Sequence, residues 1–482
     1  MRTKNFFITP AALLLLASCS SELDVTQTTK VDEPTPVTFG AYSAQSTKTR
    51  AAIESVTNLA TGSGFGVFAY YTGTNNYSAG IAPNFMYNEH VTGRALTGGG
   101  GGYDWSYSPL KFWPNDIATG AVDGGGAAGS ATGTVANGGK ISFFAYAPYV
   151  DCVYSTGAVT AATAGITAFT SNSEEGDPKV TYSVGSGDFQ DLLWGTAGDN
   201  TVNHIEQSGT QSGKAYSGIL DGYKVWTDIT RPQIGDRIKF NFVHALSKFG
   251  GSTDDSNPNA MGGVRIMLNP DATGAIVDEK TDIERNTKVT IKSLKITSAD
   301  ESVTDANRSY CFYQDGTFDL ATGLWTGQTT ASTITFSQTL KPTAGEGELA
   351  LADDLKEVDS PSDWSNIKAG VGLTPKSVYK AGQSPIYAVP GCSPKLTVTI
   401  NYVVRTKDDK LSVNWTTAEQ TIKKTITMPV FEINKAYGLL IRLGLTSVKF
   451  DATVIDWTDG GSETYTNGGN STKVTVVDLP AY

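Results

Sequence analysis

Three histidines, four cysteines and a scatter of carboxylates are the side chains here best suited to chemistry. His90, His204 and His244 lie far apart and in dissimilar contexts, so no pair of them forms a base and its partner. His244 alternates with Phe240 and Phe242 on a strand-like run, and reads as a satisfied core or edge histidine. A glycosidase needs only two carboxylates, but no Asp/Glu pair stands out from the rest. Gly209-Thr210-Gln211-Ser212-Gly213-Lys214-Ala215 has part of a phosphate loop but neither its full spacing nor a Ser or Thr after the lysine. The glycines at 98–102 read as a surface loop rather than an anion cradle. Cys152, Cys311 and Cys392 are widely spaced, with no C-x-x-C pair for a metal, and read first as buried thiols. One bridge among them stays open in an oxidising compartment. Trp105, Tyr107 and Trp113 could stack on sugars, but such rings more often pack inside a fold. No catalytic residue, metal site or cofactor is assigned.

The chemistry that the chain does specify is processing. Residues 1–18 have the form of a signal peptide, with Arg2 and Lys4 ahead of the short apolar run Ala11 to Leu16. Leu16-Ala17-Ser18-Cys19 resembles the bacterial lipobox, which implies acylation of Cys19. Downstream, Lys48-Thr49-Arg50 before Ala51-Ala52 is a protease-type site. Residues 19–50 are therefore expected to form a lipid-anchored propeptide. It holds a polar tether, Ser20 to Pro36, and a strand-like piece at 37–42 with Val37, Phe39 and Ala41 on one face.

The remaining elements follow from composition and period. With 52 glycines, 10% aromatics and many Thr and Ser in 482 residues, the balance favours strands and turns. The net charge of −11 disfavours nucleic-acid binding, which needs a basic face. Short runs dense in apolar residues fall at 65–71, 110–114, 141–147, 188–194, 238–244 and 264–268. A polar, turn-rich span from Asn269 to Asn286 then suggests a domain boundary. Beyond it, Leu396 to Val404, Tyr437 to Leu445 and Val448 to Val454 alternate as half-buried strands do. The last two read as a hairpin closed at Thr446-Ser447. The expected architecture is all-β: two β-sandwiches in tandem, residues 51–275 and 285–457, with few short helices. Residues 458–482 read as a tether and a last strand without an obvious partner in its own domain, the alternative being a final edge strand folded back on its own sandwich. Thr475, Val477 and Leu479 form one face of that strand, and Val474 and Val476 the other.

Taken in order, these pieces resemble the fimbrillin-like, or type V pilin, lipoproteins of Gram-negative anaerobes. The matching residues are the lipobox at Cys19, Thr47 to Ala51, Gly66 to Tyr70, Trp105 to Pro114 and Phe143 to Tyr146. They continue with Asp191-Leu192-Leu193, Val243 to Phe249, Tyr387 to Pro390 and the run from Tyr437 to Trp457. The resemblance implies two transthyretin-like sandwich domains and no enzyme activity. It implies an outer-membrane lipoprotein that becomes part of a cell-surface fimbrium after an arginine-specific protease cuts at Arg50-Ala51. The strand at 37–42 then leaves a groove that a neighbouring subunit's C-terminal strand fills. Neighbouring subunits, membrane lipid and a host or bacterial receptor are the partners implied.

The glycine-rich insertions at 98–102 and 120–139 suit a tip or accessory adhesin as well as a shaft subunit. A different reading is a lipid-anchored glycan- or host-binding surface protein that never polymerises. A β-sandwich hydrolase ranks last, since no catalytic constellation can be named.

Overall fold

A computed structural model describes residues 36–43, 59, 62–95, 103–114, 139–160, 165–184, 191–197, 216–230, 237–250, 263–268, 286–298, 312–329, 337–343, 345, 349–358, 360–379, 386–444, 448–456 and 475–479. The first strands are β1 (Phe39–Ser43), β2 (Phe65–Gly73), β3 (Met86–Ala95), β4 (Tyr103–Ser106), β5 (Lys140–Ala147), β6 (Ile166–Phe169) and β7 (Lys179–Ser183). Then come β8 (Leu193–Ala197), β9 (Trp226–Ile229), β10 (Ile238–His244), β11 (Ser247–Phe249), β12 (Val264–Leu268), β13 (Thr287–Ser298), β14 (Asp315–Asp319) and β15 (Trp325–Thr329). The rest are β16 (Ser337–Lys341), β17 (Leu349–Ala350), β18 (Lys376–Ser377), β19 (Ile386–Ala388), β20 (Lys395–Lys407), β21 (Trp415–Thr427), β22 (Lys435–Leu443), β23 (Val448–Asp456) and β24 (Thr475–Leu479). A 3-10 turn, Trp364–Asn366, is capped by Asp363, whose carboxylate accepts from the N–H groups of Ser365 and Asn366. The fold is all-β, built as sandwiches.

The first sheet runs β1-β10-β8-β5-β2-β3-β4, with β9 on β5. Its central strands are buried on both faces, which explains why β2 and β5 read as nearly continuous apolar runs. Along β2, Phe65, Val67 and Ala69 enter one cluster while Phe68 and Tyr70 enter another. On β5 the same split sends Phe143 and Ala145 one way and Phe144 and Tyr146 the other. Alternation is present, but both faces are apolar. The sheet curls until its ends meet, because residue Phe112, just past β4, bridges Pro36 ahead of β1. The inner cluster fills this curl, and the outer one lies beneath a four-stranded sheet, β15-β14-β7-β6.

A second sandwich pairs the sheet β18-β12-β22-β11-β19, extended by β23 and β24, with the five-stranded sheet β17-β16-β13-β20-β21. Ile266, Leu439, Ile441 and Phe450 share its core with Ile291, Leu294, Val398 and Ile400.

The expected boundary at 269–286 does not match the strand pairing. β11 and β12 already run parallel to β22, so the chain leaves the first sheet after His244. Residues 315–329 then return: β14 pairs antiparallel with β7, setting Phe318 opposite Val180. The two sandwiches are interleaved, not divided at one point. A local change in composition marks where loops are polar, whereas sheet membership is decided by pairing between distant segments.

Candidate strand-acceptor groove

The first of the expected site segments lies at the curl's seam. Val37, Phe39 and Ala41 are β-forming or small residues at alternate positions, so one face of this piece can be wholly apolar. Pro36 cannot donate to a ladder, and it stands at the strand's start, where that cost is smallest. β1 lies parallel to β10, from Phe39 opposite Ile238 to Ser43 opposite Phe242. The N–H of Ile238 donates to the Thr38 carbonyl at 2.8 Å. On its other side, the Val37 N–H donates to the Lys111 carbonyl at 2.9 Å.

The inward face is completely enclosed: Val37, Phe39 and Ala41 are 0%, 1% and 6% exposed. Phe39 stands at the centre of a cage of rings. Its centroid is 6.3 Å from Phe65, 5.4 Å from Tyr107, 5.9 Å from Phe143 and 6.0 Å from Phe240. The Tyr107 hydroxyl donates to the Val37 carbonyl at 2.9 Å. Burial pushes that phenol up to about 12, against the opposing effect of the Lys111 backbone, so it is a neutral donor at ordinary pH. Leu110 and Phe112 remain 49% and 44% exposed on the rim.

β1 is thus held by backbone pairing along β10, one bridge at Phe112 and the burial of its inner face. In the sequence, Arg50 and Ala51 lie between β1 and the next strand; like Cys19, they fall outside the described residues. A strand at a sheet's end can be exchanged for another without breaking any pairing among the remaining strands.

The second expected segment behaves differently from the reading that left it without a partner. β24 pairs antiparallel with β23 at the edge of its own sheet. Thr475 stands opposite Val454, Val476 opposite Thr453, Val477 opposite Ala452 and Leu479 opposite Phe450, while Val474 lies outside the described residues. An edge strand that follows a long connection is the terminal docking that such segments often adopt. The structure does not bring β1 and β24 together: one borders β10, the other β23.

The remaining candidates resolve into packing. Trp105 and Trp113 are 6% and 3% exposed and sit in the inner cluster, so sugar stacking on them is ruled out in this form. His90 stacks on Tyr149 at 3.8 Å and places Nε2 2.7 Å from the Ser63 carbonyl. His204 and Cys311 fall outside the described residues, and Cys152 and Cys392 are buried thiols. His244 sets Nδ1 2.5 Å from a carboxylate oxygen of Asp191, both side chains buried where β10 hands over to β11. Among the described residues no group of three His, Cys, Asp or Glu could hold a metal.

The residues that sequence reasoning missed are the walls of the groove. Phe65, Phe143 and Phe240 were legible as strand residues, but nothing local says that their rings converge.

No protein-family model matches the chain. A stretch of 141 residues is 33% identical to the fimbrium subunit Fim1C of Phocaeicola vulgatus, and covers 29% of this chain and 29% of that protein. The crystal structure of a fimbrial protein from Bacteroides vulgatus shares the fold with a TM-score of 0.52 and 18% identity, over 88% of this chain and 100% of the other. The chain is thus similar over part of its length to a fimbrium subunit, and it shares its fold with a fimbrial protein.

Proposed function

We propose that this protein is a structural or tip/accessory subunit of a surface fimbrium, assembled by strand exchange after proteolytic maturation. The observation that carries the proposal is β1 itself. Its inner face is buried as deeply as any core strand, yet it occupies the end of a sheet, and in the sequence Arg50 lies between it and the next strand. A cut there turns a core strand into a separable ligand.

In this reading the precursor reaches the outer membrane on an acylated Cys19, and an arginine-specific protease cuts Arg50-Ala51. Loss of residues 37–42 then exposes unpaired backbone on β10 and an apolar slot. A neighbour's extended strand restores both the ladder and the burial. The C-terminal segment, with Val474, Val476, Thr475, Val477 and Leu479, is this chain's own donor, and it leaves β23 to enter the next subunit. Donor and acceptor surfaces differ, so the contact is head-to-tail and propagates as a filament that serves adhesion. The similarity to a fimbrium subunit and to a fimbrial protein fold supports this reading.

The test is the N-terminal residue of protein recovered from cells. Polymerised subunits are expected to begin at Ala51, and unassembled precursor at acylated Cys19. Polymers whose subunits all retain residues 37–42 would sink the proposal. A chain truncated after Trp457 should fold as a monomer and fail to donate. If it still polymerises normally, the C-terminal strand is not the donor.

A further inference from the structure

If strand exchange operates, the groove's shape specifies which strands can enter it. The native occupant presents an aliphatic residue, an aromatic ring and a small residue at three successive inward positions: Val37, Phe39 and Ala41. The middle position is the demanding one. Four rings, those of Phe65, Tyr107, Phe143 and Phe240, surround it with centroids between 5.4 and 6.3 Å from that of Phe39. Of these, Phe65 and Phe143 meet it edge-on, at 84° and 80°, and Phe240 lies nearly parallel, at 24°. Such an arrangement is specific to a flat ring. A branched aliphatic side chain leaves the walls of the cage without contacting atoms, and close-packed interiors do not relax fully around such a gap.

The chain's own C-terminal strand has no ring to offer. One face carries Thr475, Val477 and Leu479, and the other Val474, Val476 and Asp478. The nearest aromatic residue is Tyr482; it follows Pro480 and has the same period-two spacing as Asp478, so using it in an extended strand would draw a carboxylate towards the slot.

We propose that this groove accepts a strand from a different protein chain, one with an aromatic residue at its middle inward position between two smaller apolar residues. A second copy of this chain is a poor filler. The inference rests on the strand-exchange reading above and adds partner choice to it: the subunit would stand next to an unlike neighbour on its acceptor side instead of polymerising with itself.

The experiment uses the full chain with a specific protease recognition sequence inserted between Arg50 and Ala51. After cleavage, fluorescently labelled synthetic peptides compete for the groove. The peptide of residues 35–44 is expected to bind. The peptide of residues 473–482 should bind weaker by on the order of tenfold or more, the scale of a lost ring in a packed site. The F39V change should weaken the first peptide by a similar factor, and V477F should strengthen the second. Equal or tighter binding of the unmodified C-terminal peptide, with V477F weakening it, overturns the aromatic preference while leaving exchange intact. If neither peptide enters the cleaved protein, strand exchange fails and the preference falls with it.

Discussion

Phe39 and Phe240 lie ring over ring, 6.0 Å apart and 24° from parallel, although one belongs to the sheet's first strand and the other to its neighbour β10. Their stacking couples β1 to a strand that is itself anchored through β8. Removing the ring on the β1 side should therefore release β1 without unfolding the rest. Phe39→Ala is expected to cost about 3–5 kcal/mol of the free energy that holds β1 in place. Hydrogen exchange would show it as faster exchange at β10 amides facing β1, with β20 amides unchanged. Uniform acceleration across both sandwiches would contradict a separable β1.

A second relationship joins the returning segment to the first sheet. Gly323 has φ +73°, and a side-chain carbon built there would stand 2.4 Å from the Trp194 ring. Trp194 cannot easily yield: it is fully buried, and its indole N–H donates to the Leu320 carbonyl at 2.8 Å. Gly323→Ala combines a left-handed backbone with a clash, and should destabilise by about 2–4 kcal/mol in chemical denaturation. A loss of only a few tenths would mean that the 320–325 turn is not pinned against Trp194.

Much of this arrangement can be read from single strands. β5, β10, β20, β22 and β23 fall close to the expected runs, because period-two apolar patterns and aromatic-rich runs are properties of one segment. The run at 110–114 also reads as a strand, yet its strand pairing is a single bridge from Phe112 to Pro36. What escapes the sequence is pairing. Nothing near Phe318 signals that it lies opposite Val180, and nothing near β11 signals its alignment with β22. The groove divides in the same way. The alternation of Val37, Phe39 and Ala41 is local and visible, whereas the cage around Phe39 draws on β2, β5, β10 and the hydroxyl-bearing Tyr107.

Asp319 gives the fold a pH dependence of defined sign. Burial, and then the Asp177 carboxylate nearby, hold its carboxyl above the ordinary value of 3.8 despite the N–H groups of Ala321 and Thr322 donating to it. The folded state therefore binds this proton more tightly than the unfolded chain. Stability from this group is intact below 3.8 and falls as pH rises from there through the raised folded value. Asp319→Asn keeps an amide oxygen to accept the same two N–H groups and removes the ionisation. Denaturant titrations from acid to neutral pH should show the variant gaining on the parent as pH rises. A difference independent of pH would exclude Asp319 as the source.

The buried His244–Asp191 pair ties together three segments where the chain changes sheets. Beside it, the Ala245 N–H donates to the Leu192 carbonyl at 2.8 Å, and the His244 N–H donates to Oδ1 of Asn434 at 3.3 Å. The Ser247 hydroxyl reaches the Glu432 carbonyl at 2.7 Å. A dyad so enclosed acts as a clamp, and its two members should be energetically interdependent. His244→Ala takes away the imidazole 2.5 Å from the Asp191 carboxylate and is expected to cost about 3 kcal/mol, as does loss of one partner of a buried pair generally. Asp191→Ala should cost a similar amount. The double variant should be less damaging than the sum by on the order of 1–3 kcal/mol, because the second change removes what the first left behind. Urea denaturation of the four proteins closes the cycle. Strict additivity would mean that the two side chains are held in place by their surroundings and contribute separately to the junction.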